Sequence, residues 1–259
     1  MISPSVDPIG VKVVELLAEL GYDYIELSLS DLAALPDPDF ANLVKRVNRS
    51  GIRCETCNNF FPRRIPLTGS QARLDHALAY AGEALDRAAR IGAETIVFGS
   101  SGAKNVPAGF PMDAAWRQIV DLLRHLGPMA AQFGLTIAIE PLNRLESNIV
   151  NLAAEGLRLA IEADHPNIQL LIDYYHLMME KEDLGIILEA GAAIHHVHFA
   201  KVKGRSFPDQ LEDEYRLFFR HLQSVGYSLR CSIEAYTTDF VDDARRALPL
   251  MQQLVSAPK

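Results

Sequence analysis

The stretch QFGLTIAIEPLNRLE, residues 132–146, decides the fold. A helical segment ends at Gly134, a short, mostly apolar run follows at once, and the run closes on a carboxylate, Glu140. Inside LTIAIE the side chains alternate, so Thr136, Ala138 and Glu140 share one face, while Leu135, Ile137 and Ile139 share the other. A strand with one apolar face for an outer helix and an acid at its tip on the other face is a stave of a parallel sheet wrapped by helices.

The unit recurs along the chain. ELGYDYIEL, RSGIRCET, RIGAETIVF and SVGYSLRCSIE repeat the order helix, glycine, strand, at the spacing of roughly 30 to 45 residues expected of βα units. Strands are predicted over 22–29, 52–58, 94–100, 135–140, 168–173, 194–200 and 227–234. Segments such as VKVVELLAEL and ARLDHALAYAGEALDRAARIG between them carry apolar residues at helical spacing. The reading is an α/β protein, a (β/α)8 TIM barrel forming a single domain over residues 1–259. The eighth strand falls to MISP at the start, so the first strand is very short, or truncated if the natural chain starts earlier.

Composition narrows the partners. With 259 residues, 49% hydrophobic and 22% charged, the chain can bury a large core, and no apolar stretch is long enough for a membrane span. A formal charge of −8 disfavours a surface built to neutralise phosphate backbones, so no nucleic acid partner is expected. MISPSVDP has no signal-peptide or transit-peptide pattern, which leaves the cytoplasm as the expected location. Cys54 and Cys57 lie three apart in a strand, where strict alternation sends them to opposite faces; buried reduced thiols are expected rather than a redox pair.

Four predicted strands close on a polar residue: Glu140, Asp173, His198 and Glu234. Alternation turns all four into the barrel, with Asp173 sharing its face with Leu171, His198 with His196 and Ile194, and Glu234 with Ser232. A carboxylate ending an apolar strand must be paired, hydrogen-bonded or bound to a cation. Three carboxylates and one imidazole, without sulfur, suit one divalent metal ion, Mn2+ first, with Mg2+ or Co2+ acceptable.

The runs AIEPLNRLE (138–146), LLIDYYH (170–176), HHVHFA (195–200) and SIEAY (232–236) resemble the strand ends of the xylose-isomerase-like barrel superfamily, in particular the sugar phosphate isomerase/epimerase group with its ketose 3-epimerases. The resemblance implies that Glu140, Asp173, His198 and Glu234 hold the metal, that Glu140 and Glu234 also form the catalytic acid/base pair, and that Glu146, His176 and Arg205 bind the sugar. Arg205 fits least well: it stands in KVKGRSFPDQ, where relatives often carry Pro-Gly-x-Gly. The implied partner is a small sugar or sugar phosphate, and the implied assembly a homodimer or homotetramer.

The implied chemistry is proton transfer through a metal-stabilised enediolate. Epimerase, aldose–ketose isomerase and a dehydratase of the inosose or dehydroshikimate type share that intermediate, and a non-catalytic sugar-binding barrel would share the fold. The superfamily's abasic-site endonucleases need further histidines at earlier strand ends, and CETCNNFF and VFGSSG supply none. Other readings compete residue by residue. Glu146 can pair with Arg144, His176 can be an idle loop histidine, and His196 is read as lying one layer below His198. The segment NNFFPRRIPLTGS can be a lid whose arginines meet a phosphate, or a loop with its aromatics packed on the barrel top, and Ser100, Ser101 and Lys104 are further candidates for substrate contact.

Overall fold

The computed structural model describes residues 13–256. Seven strands form one parallel sheet in sequence order: β1 (Tyr24–Ser28), β2 (Arg53–Asn58), β3 (Thr95–Phe98), β4 (Thr136–Ile139), β5 (Ile168–Asp173), β6 (Ile194–Phe199) and β7 (Cys231–Ile233). The sheet curls into a nearly closed barrel, the TIM-barrel fold, with β1 and β7 as its edges among the described residues. The expected eighth strand at MISP lies outside the described residues.

Helices such as Asp37–Ser50, Leu74–Ile91, Met112–Gln132, Ala153–Ala163, Asp213–Ser224 and Phe240–Ser256 fill the connections. A glycine before the strand is the hinge of most units; ahead of β5 the left-handed position falls to Asp164 instead. At Gly92 the chain leaves Leu74–Ile91 with φ +97°, and its N–H closes on the carbonyls of Ala88 and Ala89, so the strand starts three residues later, at Thr95. No helix among the described residues is long and apolar enough to cross a membrane.

The core lies chiefly between strands and helices. Ile137, Ile139, Leu170, Ile172, Val197, Phe199 and Ile233 point outward into that layer, as alternation requires. Inside the barrel, among the described residues, Val97, Ala138 and Leu171 form a small apolar plug. The rest of the interior is polar, with Glu26, Thr56, His196 and Ser232 all buried.

Alternation fails at two places, and both are bulges. Ile25 pairs with Cys54 but Glu26 pairs with Thr56, so Glu55 is an extra residue in β2. A bulge resets the side-chain count. Cys54 and Cys57 therefore meet, sulfurs 3.9 Å apart and both buried as free thiols, instead of facing opposite ways. In β6, Leu170 pairs with Ile194 and Leu171 with His196, which makes His195 the extra residue. Ile194 accordingly packs outward with the helices, not inward with His196 and His198.

Candidate metal centre and active site

Residues at the ends of β4 to β7 meet at the barrel mouth. Glu140 directly follows β4, Asp173 ends β5, His198 lies near the end of β6, and Glu234 directly follows β7. His198 Nδ1 stands 3.2 Å from Glu140 Oε1 and 3.1 Å from Glu234 Oε2. Asp173 turns its Oδ1 to the backbone N–H of Tyr175 at 2.7 Å, capping the helix Tyr174–Glu180 that follows β5. Its Oδ2 is enclosed and accepts no hydrogen bond.

The residues that the family resemblance marks as sugar contacts converge on the same point. His176 accepts hydrogen bonds at Nδ1 from the backbone and side-chain N–H groups of Asn143, at 3.1 and 2.8 Å. The free Nε2 must then carry the proton of a neutral ring, and it faces Asp173 Oδ2 at 3.6 Å and Arg205 at 3.4 Å. Burial holds the His176 pKa below its ordinary value, which favours that neutral ring. Glu146 accepts from Arg205 Nη1 at 3.1 Å and from Asn143 Nδ2 at 3.1 Å; Arg144, its other candidate partner, pairs with Glu180 instead.

Arg205 reaches the site despite its unusual loop. Gly204 and Arg205 both adopt positive φ, +74° and +45°, a conformation that costs a non-glycine residue energy and is often kept where function needs it. The loop is anchored by the bond from the Tyr236 N–H to the Arg205 carbonyl at 2.7 Å and by a parallel bridge between Ser206 and Tyr236. The guanidinium stacks 4.8 Å from the Tyr175 ring centre, bonds to Glu234, and lies 3.6 Å from Asp173 Oδ2.

Electrostatics split the carboxylates. Burial and the neighbouring Glu234 raise the Glu140 pKa, and burial lifts Asp173 to about 6 despite Arg205. Burial also opposes ionisation of Glu234, but His198 and Arg205 outweigh it and hold the group at about 2. Glu140, Asp173, His176 and Glu234 each bring a ligand atom within 4.8 Å of the others, and His198 adds Nδ1 to the edge of the group. An oxygen-rich cluster with one enclosed carboxylate oxygen lacking a donor fits a hard divalent cation.

Three contributors lie outside the set that the strand-end pattern marks. Glu26 on β1 lies behind His198, with Oε1 3.0 Å from Nε2. Gly99 makes room for Glu140, because a Cβ there would sit 2.1 Å from Oε2. Asn143 orients His176. FGS after β3 and the N of EPLNRLE were the available signals for the last two, whereas Glu26 in YIELS reads as an ordinary strand residue.

The upper loops take the packed alternative. Phe60 and Phe61 are buried against each other and against Tyr80 and Phe98, while Arg63 and Arg64 point to solvent. Ser100 Oγ accepts from the Phe61 N–H at 3.0 Å, and Lys104, fully buried, donates to the Glu140 carbonyl at 3.1 Å. Both of these residues serve the scaffold.

The fold and the polar mouth are those of a TIM barrel with a candidate cation site, and the sequence pattern of the xylose isomerase-like TIM barrel family matches residues 14–254: the chain belongs to that family. Its relatives include L-ribulose 3-epimerase of Mesorhizobium japonicum, 28% identical over 231 residues that cover 87% of this chain and 75% of that protein. D-psicose 3-epimerase of Agrobacterium fabrum is 26% identical over 193 residues, 71% of this chain and 65% of that one. The crystal structure of a D-psicose 3-epimerase in the presence of D-fructose superposes with a TM-score of 0.84 at 20% identity, covering 95% of this chain and 93% of that one, a likeness of fold.

Proposed function

We propose that this protein is a divalent-metal-dependent ketose 3-epimerase. The observation that carries the reading is the placement of two buried glutamates, Glu140 after β4 and Glu234 after β7, on the outer strands of a four-strand arc that also holds Asp173 and His198. A substrate carbon held between them meets one carboxylate from each side, which is what inversion at that carbon requires.

Glu140, Asp173, His198 and Glu234 would hold the cation, with His176 Nε2 facing the same space. The bound ion supplies Lewis-acid polarisation of a sugar carbonyl, which acidifies the neighbouring C–H. Of the two glutamates, one takes the proton from that carbon and the other returns one to the opposite face. Glu234, held ionised by His198 and Arg205, suits the accepting role, and Glu140, whose proton is retained more readily, suits the donating role. His176 offers Nε2–H to a sugar oxygen, and Arg205 and Glu146, bonded to each other, offer donors and an acceptor to the remaining hydroxyls.

The test is incubation with Mn2+ and a panel of ketoses, ketose phosphates and inososes in D2O. Deuterium appearing at C3 of a ketose, with formation of its 3-epimer, is the expected result. Label at C1 or C2 of an aldose product would replace epimerase by aldose–ketose isomerase, loss of water by dehydratase, and no exchange with any substrate would remove the enzymatic reading. Glu140→Gln and Glu234→Gln should each lower turnover by about 10²- to 10⁴-fold; near-normal turnover in either frees that residue from the role.

A further inference from the structure

Behind His198 lies a nearly buried carboxylate, one of whose oxygens gathers three donors. Glu26, on β1 across the barrel from β6, is 3% exposed. Its Oε1 is 3.0 Å from His198 Nε2, but the hydrogen bond with that nitrogen is made by Oε2 at 3.3 Å. Its Oε2 accepts from Ser232 Oγ at 2.6 Å and lies 3.2 Å from His196 Nε2. Tyr24 Oη stands 2.7 Å from Ser232 Oγ and, since the serine proton is committed to Glu26, must be the donor there.

The geometry gives the two nitrogens of His198 different work. An ionised carboxylate only accepts, so the hydrogen in the 3.3 Å bond between Glu26 Oε2 and the ring belongs to His198 Nε2. The other nitrogen, Nδ1, is aimed at Glu140 and Glu234, 3.2 and 3.1 Å away. An imidazole that keeps its Nε2 proton has only the Nδ1 lone pair to give. The ring cannot turn over easily, because it is wholly buried and stands edge-on to His196, with centroids 5.1 Å apart.

We propose that Glu26 is a positioning residue of the metal centre: it holds the Nε2 proton of His198 so that Nδ1 is the nitrogen offered to the cation. The idea rests on the metal reading given above and adds to it a residue outside the ligand set. A carboxylate behind a ligating imidazole fixes its tautomer and orientation and makes it a better ligand, and loss of such a partner typically weakens metal binding by roughly 10- to 100-fold. Tyr24 and Ser232 hold Glu26 in turn, so the chain of hydrogen bonds runs from β1 through β7 to the ligand on β6.

Mn2+ titration by calorimetry on the wild-type protein, Glu26→Gln and Glu26→Asp, together with ¹⁵N spectra of His198 in the metal-free and Mg2+-loaded protein, tests this. Mn2+ affinity should fall about 10- to 100-fold in E26Q and recover partly in E26D, and the wild-type ring should carry its proton on Nε2 once Mg2+ is bound. Should E26Q fail to fold, E26D and the wild-type spectra decide. Unchanged Mn2+ affinity in folded E26Q, or a His198 ring protonated on Nδ1 alone, overturns the proposal. If the wild-type protein takes up no Mn2+, the metal reading falls by itself; the metal-free spectrum still judges Glu26, whose role requires a proton on His198 Nε2.

Discussion

The barrel holds two clusters of buried charge one layer apart, and they are built on opposite principles. In the lower one, a single carboxylate, Glu26, faces His198, His196 and Ser232, all three bonded to its Oε2, while its Oε1 lies 3.0 Å from His198 Nε2 without a hydrogen bond. In the upper one, Glu140, Asp173 and Glu234 share one imidazole and one guanidinium, and Asp173 Oδ2 has no hydrogen bond at all. Each layer keeps one carboxylate oxygen without a hydrogen bond, but charge is balanced in the first and left in negative surplus in the second. The difference separates a scaffold from a binding site more sharply than burial does, since both clusters are nearly sealed from solvent. The lower layer sets its one carboxylate against its own donors, while the surplus of the upper layer is what the proposed cation would offset.

The sharpest way to break the upper cluster without touching a charge is Gly99→Ala. A methyl group at that position would stand 2.1 Å from Glu140 Oε2, so the carboxylate must swing away from the mouth. Misplacement of a reacting group by about 1 Å can cost on the order of 100-fold. Turnover in the D2O assay should fall by at least that much, with far-ultraviolet circular dichroism unchanged. Normal turnover would mean that Glu140 works from another position.

Glu26→Leu breaks the lower cluster and should be costly to the fold itself. It leaves His198 and His196 buried without their carboxylate, and removing one member of a buried ion pair typically costs about 3–5 kcal/mol. Urea denaturation should report that loss in the metal-free protein. Asp173→Asn is the matching change above, and it should behave differently: the amide keeps an acceptor for the Tyr175 N–H while shedding a charge that its surroundings disfavour. Its metal-free stability should equal or exceed that of the wild type. A large loss in D173N would erase the contrast between the layers.

Much of this was legible in the sequence because the apolar runs are short, closed by acids, and preceded by a glycine that ends a helix. The four strand ends Glu140, Asp173, His198 and Glu234 needed only the period-two count. That count fails wherever a strand takes in an extra residue, as at Glu55 and His195, since pairing with a distant strand decides where a bulge falls. Glu26 stayed hidden for a related reason. Its partners lie about 170 and more residues away, on β6 and β7, and only barrel curvature brings β1 across to them. Arg205 was legible as a residue type but not as a conformation, because positive φ at a non-glycine is imposed by the anchoring of its loop to Tyr236.

Metal addition sharpens the same comparison at a lower energy. A ligand that binds only the folded state stabilises it by about 2.7 kcal/mol at a concentration 100 times its dissociation constant. Mn2+ should therefore raise the melting temperature of the wild-type protein and leave that of Asp173→Asn nearly unmoved. An equal rise in both would place the cation elsewhere.

The smallest effect belongs to a carboxylate outside both clusters, which tests whether balanced charge is the rule below the mouth. Glu55, the bulged residue of β2, is bound by Arg230 Nε and Arg53 Nη2, each at 2.5 Å. Burial works against its ionisation, but Arg230 and Arg53 prevail and hold its pKa below the ordinary 4.5. A carboxylate whose pKa is depressed on folding contributes stability above its ordinary value, and that contribution drains away as pH falls through the depressed one. Both arginines are open to solvent, so the contribution is of the modest size usual for exposed pairs. Glu55→Gln should lower the melting temperature slightly at pH 7, and the gap to wild type should narrow as pH drops below about 4.5, where the wild-type acid is protonated as well. A gap that stayed constant down the acid limb would mean that Glu55 acts by shape rather than charge, and that the balance seen around Glu26 does not extend to the foot of the barrel.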